Sequence, residues 1–207
     1  MWRIKMSSAQ AKAFIQKIAP IIQAEAKARG YKVCSPIIAQ AVNESRYGES
    51  GLAKYHNYFG LKCGSSWKGP SVNMKTKEEI NSALVSIRDN FRTYPDMVAG
   101  IKGYFDFIST KRYANLKTAE TPEEYLRRIK ADGYATDSSY VQKNINCIRK
   151  YDLDKWDYRP QETTVDVIAK EVIAGKWGNG ATRMQLLRAA GYNPSIIQAR
   201  VNEMLKG

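Results

Sequence analysis

The sequence predicts a mainly α-helical protein with one small β-hairpin lobe and a separate unit of three short helices at its C-terminal end. Three observations lead to this prediction. Apolar residues repeat at helical spacing through most of residues 8–150, apolar and polar residues alternate between 68 and 94, and residues 165–207 form a glycine-punctuated helical unit. A chain of 207 residues has room for one ordinary domain and one small one. We therefore divide it into a first domain at 1–150, a linker at 151–164 and a second domain at 165–207.

Two helices open the first domain. The first has one apolar face and ends at Gly30; this face carries Phe14, Ile15, Ile18, Ile21 and Ile22. The second begins at Ser35, which can cap it, and Pro36 fits the first helical position because no N–H is needed there. Gly48 can close this second helix.

Glu44 falls on the apolar face of the second helix. Ile37, Ala41 and Glu44 are four and three residues apart, which puts them on one side. A carboxyl group held against apolar neighbours is harder to ionise, so its pKa rises toward the range of a general acid. From the spacing alone, an exposed glutamate at a helix end is the simpler interpretation.

The hairpin and three further helices complete the first domain. Alternation at residues 72–76 predicts one strand, and the segment 86–94 can pair with it. Helices then resume with three candidate N-caps, Asp96, Thr121 and Asp137.

The chain is strongly basic, with 33 Lys and Arg against 20 Asp and Glu, a net charge of +13 and a pI of about 9.6. This balance favours a polyanionic partner. Nucleic acid is not expected, because the sequence has no zinc-finger spacing and no aromatic RNA-binding strand motif. Membrane insertion is not expected either, because no apolar run approaches about 20 residues. The first 14 residues have no apolar core, so we expect no signal peptide.

Cysteine and histidine usage indicates neither a metal site nor a cofactor. Cys34, Cys63 and Cys147 are odd in number and scattered, which indicates free thiols in a protein made in a reducing cytosol. His56 is the one histidine, so a histidine-based metal site and a Ser-His-Asp triad are both poorly supported. We expect no metal and no cofactor.

Residues 39–62, AQAVNESRYGESGLAKYHNYFGLK, form a gap-free pattern that resembles the active-site region of family 73 glycoside hydrolases. These are the glucosaminidases of bacterial autolysins, phage lysins and the flagellar peptidoglycan hydrolase. The resemblance continues through about residues 8–150, at 67–70, 76–78, 91–94, 112–113 and 133–137. It implies a lysozyme-like α+β fold for this domain, with Glu44 as the catalytic acid.

The resemblance also implies further site residues. Glu78 matches the family's second carboxylate, although the adjacent Glu79 leaves the register ambiguous by one residue, and only one of two neighbours on a strand faces the cleft. Assistance by the substrate's own acetamido group is the alternative to both. The implied substrate contacts are Asn57, Tyr58, Tyr134 and Tyr140, since aromatic rings pack against sugar faces.

Residues 165–207 resemble the CW_7 cell-wall-binding repeat found behind the catalytic domains of phage lysozymes. The match includes 166–169, 175–180 and 190–192. It implies a three-helix bundle that recognises peptidoglycan through Asp166, Trp177 and Arg183, although so small a unit also needs a large central residue such as Trp177. Arg183 suits a peptide carboxylate because its planar fork matches that group.

Together these resemblances predict a phage endolysin that binds peptidoglycan, a polyanionic wall polymer, and cleaves its glycan strand as an endo-β-N-acetylglucosaminidase. Two alternatives stay open: an N-acetylmuramidase acting on the neighbouring bond, and a non-catalytic wall-binding protein. We expect the protein to stay in the host cytoplasm until lysis and then to act on the cell wall.

Overall fold

The structure is a computed structural model that describes residues 8–80, 83–157 and 164–206, with the side chains of 8, 77–80 and 83–84 outside the description. The chain divides into two compact units, Met1–Tyr158 and Arg159–Gly207. Within the described residues, no helix is long and apolar enough to cross a membrane.

The first unit is mainly helical with one two-stranded sheet, so the predicted fold class is confirmed. Its elements in chain order are α1 (Ser8–Ala28), α2 (Ser35–Glu44), β1 (Ser71–Ile80), β2 (Ala83–Arg92), α3 (Met97–Ile108), α4 (Pro122–Ala131) and α5 (Tyr140–Tyr151). Short 3₁₀ turns lie at Ala53–Tyr55, Lys111–Thr118 and Leu153–Trp156.

Helix α2 runs through the centre of this unit. Every residue from Ser35 to Val42 is buried, which is why the segment is apolar on nearly all sides rather than on one stripe. It packs against α1, whose Ile18 and Ile22 are fully buried, and against α5. Because α2 is packed on several sides, Asn43 and Glu44 at its end leave the core at a fixed position.

The N-terminus of α2 differs from the prediction that Ser35 caps it. The capping position belongs to Cys34, which makes no side-chain cap, and Ser35 is already helical. The carboxylate of Asp157 replaces the cap: its Oδ1 accepts from the backbone N–H groups of Cys34 at 2.7 Å and Ser35 at 2.6 Å. Its Oδ2 accepts from the Ser35 hydroxyl at 2.7 Å. The free N–H groups of a helix start are thus satisfied from 122 residues away.

The C-terminus of α2 also differs, because the helix ends at Glu44 and not near Gly48. The Ser45 hydroxyl donates to the Ala41 carbonyl at 2.6 Å and accepts from the Gly48 N–H at 2.8 Å. Arg46, Tyr47 and Gly48 then all have positive φ, at 50°, 60° and 83°. This left-handed run turns the chain away immediately after Glu44.

The predicted hairpin is confirmed. β1 and β2 are antiparallel, with Ser71 opposite Arg92 and Ile80 opposite Ala83. An isolated bridge between Lys62 and Phe91 joins the base of the hairpin to the loop that follows α2. The hairpin therefore projects from the helical core close to the end of α2.

Two of the three predicted N-caps are confirmed. Asp96 accepts from the Ala99 N–H at 2.8 Å, and Thr121 accepts from the Glu124 N–H at 3.2 Å. Asp137 is not the N-cap of α5, because that position belongs to Ser139. Asp137 instead accepts from both the N–H and the hydroxyl of Ser139.

The predicted linker at 151–164 begins too early. Leu153 is fully buried in the first core, and the Trp156 carbonyl accepts from the Gln23 side chain at 2.6 Å. Together with the hydrogen bonds that Asp157 accepts from the start of α2, these contacts make residues 151–157 part of the first unit. Sequence alone missed them because their few apolar residues have no regular spacing. Residues 158–163 lie outside the described part of the chain.

The second unit is the predicted three-helix bundle, with α6 (Thr164–Ile173), α7 (Gly180–Ala189) and α8 (Pro194–Met204). It has a small core of its own, formed by Ile168, Ala169, Val172, Leu187, Ile197 and Val201. The Asn193 side chain caps α8 by accepting from the Ser195 N–H at 3.0 Å, with Pro194 in the first turn.

Candidate active site

Glu44 lies at the last helical position of α2, beside the first turn of α5. The Asn43 side chain donates to Asn144 Oδ1 at 3.0 Å, and Asn144 donates to the Tyr140 carbonyl at 2.9 Å. These bonds hold the two helices together next to Glu44. Tyr140 and Lys143 lie in this first turn of α5, so both come close to Glu44.

Gly60 lies beside the Glu44 carboxyl. A Cβ built on Gly60 would lie 3.8 Å from Glu44 Oε2, so the backbone of this residue approaches the carboxyl closely. Its φ of +66° is a conformation that glycine adopts without strain and other residues do not. The Asn-Tyr-Phe-Gly motif therefore contributes a bare backbone surface beside Glu44.

The pKa of Glu44 is raised to about 7, and desolvation is the largest cause. The charge of Asp137 raises this pKa further, while the charge of Lys143 lowers it. The side chain is nevertheless exposed. The two observations agree for a carboxyl in a cleft, which water reaches from one side while protein replaces it on the others. Such a group holds its proton near neutral pH and can still meet a substrate.

Asp137 and Lys143 form an ion pair beside Glu44. Lys143 Nζ lies 2.6 Å from Asp137 Oδ2, and Ser139 donates two hydrogen bonds to the other carboxylate oxygen. These donors hold the pKa of Asp137 well below its usual range. Asp137 therefore stays ionised and keeps Lys143 in place, so the two charges largely offset each other at Glu44.

A buried chain of hydrogen bonds runs beneath Glu44, and sequence reasoning missed it. Gln40, fully buried one helical turn before Glu44, donates to the Tyr140 hydroxyl at 2.6 Å and accepts from the Tyr104 hydroxyl at 2.8 Å. The Tyr104 hydroxyl is also 3.0 Å from that of Tyr125. The available signal was a single glutamine within the otherwise apolar run 36–42 of α2.

Tyr134 lies near Glu44, and its role as a substrate contact stays a prediction. It is half-buried, its hydroxyl donates to the Phe59 carbonyl at 2.8 Å, and the charge of Glu44 is among the causes that raise its pKa. Its ring lies edge-on to Tyr104 with centroids 6.2 Å apart. Tyr140 is close to Glu44 as well but is 5% exposed, so only its edge is open to a ligand.

Asn57 and Tyr58 are structural, which corrects their assignment as substrate contacts. Asn57 is 2% exposed, and its amide donates to the carbonyls of Leu61 and Arg92 and accepts from the Leu61 N–H. These bonds join the loop to the end of β2 and leave the amide no free group. Tyr58 is 4% exposed and packs toward α1, where its ring centroid is 5.7 Å from that of Phe14.

Glu78 and Glu79 are located by the backbone alone. Glu78 pairs with Val85 and Glu79 with Leu84, close to the tip of the hairpin. Their side chains lie outside the described part of the structure.

The three residues predicted to contact the cell wall are tied into the second unit. Asp166 accepts from Arg200 at 2.6 Å, which joins α6 to α8. Trp177 donates to Glu171 at 3.0 Å and packs edge-on against Tyr192, so it is mainly a core residue. Arg183 is half-buried like the other two, but unlike them it lines a groove.

Arg183 lines a groove between α7 and α8 with a volume of about 520 Å³, whose other walls include Met184, Leu187, Gln198 and Asn202. Its guanidinium donates to the Gly178 carbonyl and to the side chains of Asn179 and Gln198. These bonds hold the fork in one orientation. Among all the described residues, no group of three His, Cys, Asp or Glu side chains could hold a metal ion.

Comparison with known proteins places both units in families. Residues 19–153 match the family described as glucosaminidase, or mannosyl-glycoprotein endo-beta-N-acetylglucosaminidase. Residues 166–205 match the CW_7 repeat.

Individual relatives agree with the first match. The peptidoglycan hydrolase FlgJ of Pseudomonas aeruginosa is 32% identical over 155 residues, covering 72% of this chain and 38% of that protein. The exo-glucosaminidase LytG of Bacillus subtilis is 31% identical over 162 residues, covering 73% of this chain and 57% of that protein. The chain thus spans only part of the length of these relatives.

The fold is that of a solved autolysin domain. The catalytic domain of the autolysin Auto from Listeria monocytogenes superimposes with a TM-score of 0.63 at 28% identity, covering 75% of this chain and 92% of that one.

Proposed function

The chain belongs to the glucosaminidase family of glycoside hydrolases, and on that premise we propose that it cleaves the glycan strands of bacterial peptidoglycan as an endo-β-N-acetylglucosaminidase. Glu44 is the general acid of this proposal. The observation that carries it is the position of Glu44, an exposed carboxyl at a helix end whose pKa is raised to about 7.

The chemistry follows from that protonation state. Glu44 gives its proton to the glycosidic oxygen as the bond from that oxygen to the anomeric carbon breaks. The leaving sugar departs as a neutral alcohol, and a water molecule supplies the hydroxyl that the anomeric carbon gains. The proton released by that water returns to Glu44, either directly or from a second base by way of solvent, so the enzyme is restored.

The second group is one of three: Glu78, Glu79 or the acetamido group of the substrate. The hairpin that carries both glutamates is joined to the loop after α2 through the Lys62–Phe91 bridge, which supports a role for one of them. We expect Glu78→Gln and Glu79→Gln to differ sharply in activity if one carboxylate acts. Equal and mild losses would favour the acetamido group.

Analysis of the products tests the bond that is cut. Digested walls are reduced with borohydride, and the new ends are identified by mass spectrometry. Reduced N-acetylglucosamine supports the proposed glucosaminidase. Reduced muramic acid would make the protein an N-acetylmuramidase instead, and no new reducing ends would favour a non-catalytic wall-binding protein.

We propose that the second unit binds the enzyme to the cell wall, because it carries a CW_7 repeat. Arg183 and the groove that it lines are the proposed contact, since a guanidinium at the wall of a groove suits a carboxylate. Co-sedimentation with purified walls tests this, with Arg183→Lys as the variant and DNA as the competing polyanion. Binding to DNA but not to walls would contradict the proposal.

We further propose an endolysin, which accumulates in the host cytoplasm until lysis and then acts on the wall. Three free cysteines, two of them buried, support synthesis in a reducing compartment. Fractionation of cells that express the protein, before and after membrane permeabilisation, tests this. Release of the enzyme from intact cells would contradict it.

A further inference from the structure

We propose that Gln40 is a positioning residue, which orients the hydroxyl of Tyr140 so that its proton is directed at the carboxylate of Glu44. The inference rests on the proposed role of Glu44 as the acid. It adds a purpose to a buried amide that takes no part in the chemistry itself.

The direction of the hydrogen bonds follows from the partners of Gln40. Its Oε1 accepts from Tyr104, so the Tyr104 oxygen in turn accepts the proton of Tyr125. Its Nε2 donates to the Tyr140 oxygen at 2.6 Å. All three hydrogen bonds are therefore donated toward Tyr140, and the Tyr140 hydroxyl keeps its own proton for another acceptor.

Besides burial, the charge of Glu44 raises the pKa of Tyr140, so the two groups lie near each other. Glu44 is the acceptor that we infer. Gln40 and Glu44 are four residues apart, so they are neighbours on one face of α2. Tyr140 contacts the first of them, and the Asn43–Asn144 bond holds α5 against the end of α2. When Glu44 has given up its proton, its carboxylate can accept the hydrogen bond that the Tyr140 hydroxyl still has to donate.

Two other donors near Glu44 each have a protein acceptor: Lys143 Nζ lies 2.6 Å from Asp137 Oδ2, and the Tyr134 hydroxyl donates its single proton to the Phe59 carbonyl. The charge of Lys143 already lowers the pKa of Glu44, and replacing Tyr140 leaves that charge in place, so the titration below isolates the hydroxyl. Burial raises the pKa of Tyr140 and of the tyrosines beneath it, so these hydroxyls stay protonated at any working pH. A hydrogen bond to the ionised carboxylate lowers the pKa of Glu44 below the value that desolvation alone would give.

The test is a titration of the Glu44 carboxyl by ¹³C NMR, with the signal assigned by its loss in Glu44→Gln. Tyr140→Phe and Tyr125→Phe each remove one hydroxyl, at the two ends of the hydrogen-bonded series Tyr125–Tyr104–Gln40–Tyr140. We expect Tyr140→Phe to raise the titration midpoint by about one pH unit, since one charged hydrogen bond is lost. We expect Tyr125→Phe to leave the midpoint within about 0.3 unit, which is smaller than the loss of a hydrogen bond produces.

Gln40→Met removes the amide at similar length. It should raise the midpoint as Tyr140→Phe does. The double variant with Gln40→Met and Tyr140→Phe should shift the midpoint no further, because both changes act through one hydroxyl. If Gln40→Met does not fold, the two tyrosine variants decide alone. An unchanged or lowered midpoint in Tyr140→Phe, or an equal rise in Tyr125→Phe, overturns the proposal.

The titration needs no activity, so the two proposals fail separately. If Glu44→Gln still cleaves glycan while Tyr140→Phe shifts the midpoint, the hydrogen-bonded chain stands and the catalytic role of Glu44 does not. If wild-type activity depends on Glu44 but the titration midpoint does not move in Tyr140→Phe or Gln40→Met, only the positioning role of Gln40 is lost.

Discussion

Asp157 accepts two hydrogen bonds from Ser35, one from its backbone N–H at 2.6 Å and one from its hydroxyl at 2.7 Å. The last described residue of the first unit thereby holds the start of the helix that ends at Glu44. The segment after α5 is part of the catalytic unit because of this contact.

Replacing Asp157 should destabilise the first unit. Asp157→Ala leaves the N–H groups of Cys34 and Ser35 without their acceptor, so we expect a loss of about 1–3 kcal/mol in the free energy of unfolding. Asp157→Asn keeps one acceptor oxygen and should lose less. Urea denaturation measures both, and equal stability of Asp157→Ala and wild type would show that the cap contributes nothing.

The end of the catalytic unit can be located by truncation. A chain that ends at residue 157 should fold, since it keeps buried Leu153 and the Asp157 cap. A chain that ends at residue 150 loses both and should melt lower by on the order of 10 °C, or fail to fold. Calorimetry of the two chains decides between this boundary and the earlier one that the sequence indicated.

Glu44→Gln should lower glycan hydrolysis by about 10²–10⁴-fold, because it removes the transferable proton at nearly constant shape. Wall binding should not change. Glu49→Gln, at an exposed glutamate in the loop after α2, is the matched control and should keep full activity. Release of reducing sugar from purified walls measures the three proteins, and comparable activity in Glu44→Gln would remove Glu44 from the mechanism.

The pH dependence follows from the raised pKa of Glu44. The acid works when protonated, so kcat/KM should hold below about pH 7 and fall above it as Glu44 ionises. Ionisation is also harder in the folded protein than in the unfolded chain, so the folded state loses stability between about pH 4.5 and 7.

That loss gives a second readout. Glu44→Gln cannot ionise, so its melting temperature should match that of wild type at pH 4 and exceed it at pH 8. The opposite sign at pH 8 would mean that the carboxylate is stabilised in the fold and that its pKa is not raised.

Removing the second unit should separate activity on walls from activity on small substrates. The chain ending at residue 157 should cleave soluble glycan fragments like the full protein but should act more weakly on whole walls. Residues 164–206 carry six basic and three acidic side chains, so the difference between the two proteins should shrink as salt rises. A loss of activity on soluble fragments would place part of the catalytic cleft in the second unit.

Features encoded by neighbouring residues could be predicted from the sequence. The hairpin follows from its alternation, and the caps at Asp96 and Thr121 follow from the three residues that come after each. The sequence also singles out Glu44 as a candidate, because its helical neighbours are apolar and the pattern around it is long and without gaps.

Features that depend on distant residues could not be predicted. Nothing near Ser35 indicates that Asp157 replaces its cap, and nothing near Asn57 shows that its amide joins a loop to β2. Asn57 and Tyr58 belong to the motif for structural reasons: they shape the loop that presents Gly60 to Glu44. A motif groups the residues that build a site with those that act in it, and burial separates them.

The early end of α2 adds an electrostatic effect of the backbone itself. The peptide dipoles of a helix sum to a partial negative charge at its C-terminus, where the last carbonyl groups lack partners. Because the left-handed turn at Arg46–Gly48 stops the helix at Glu44, the carboxyl sits at that negative pole. Extending the helix to Gly48, by substitutions that favour right-handed backbone at 46 and 47, would move the pole away and weaken the acid's hold on its proton.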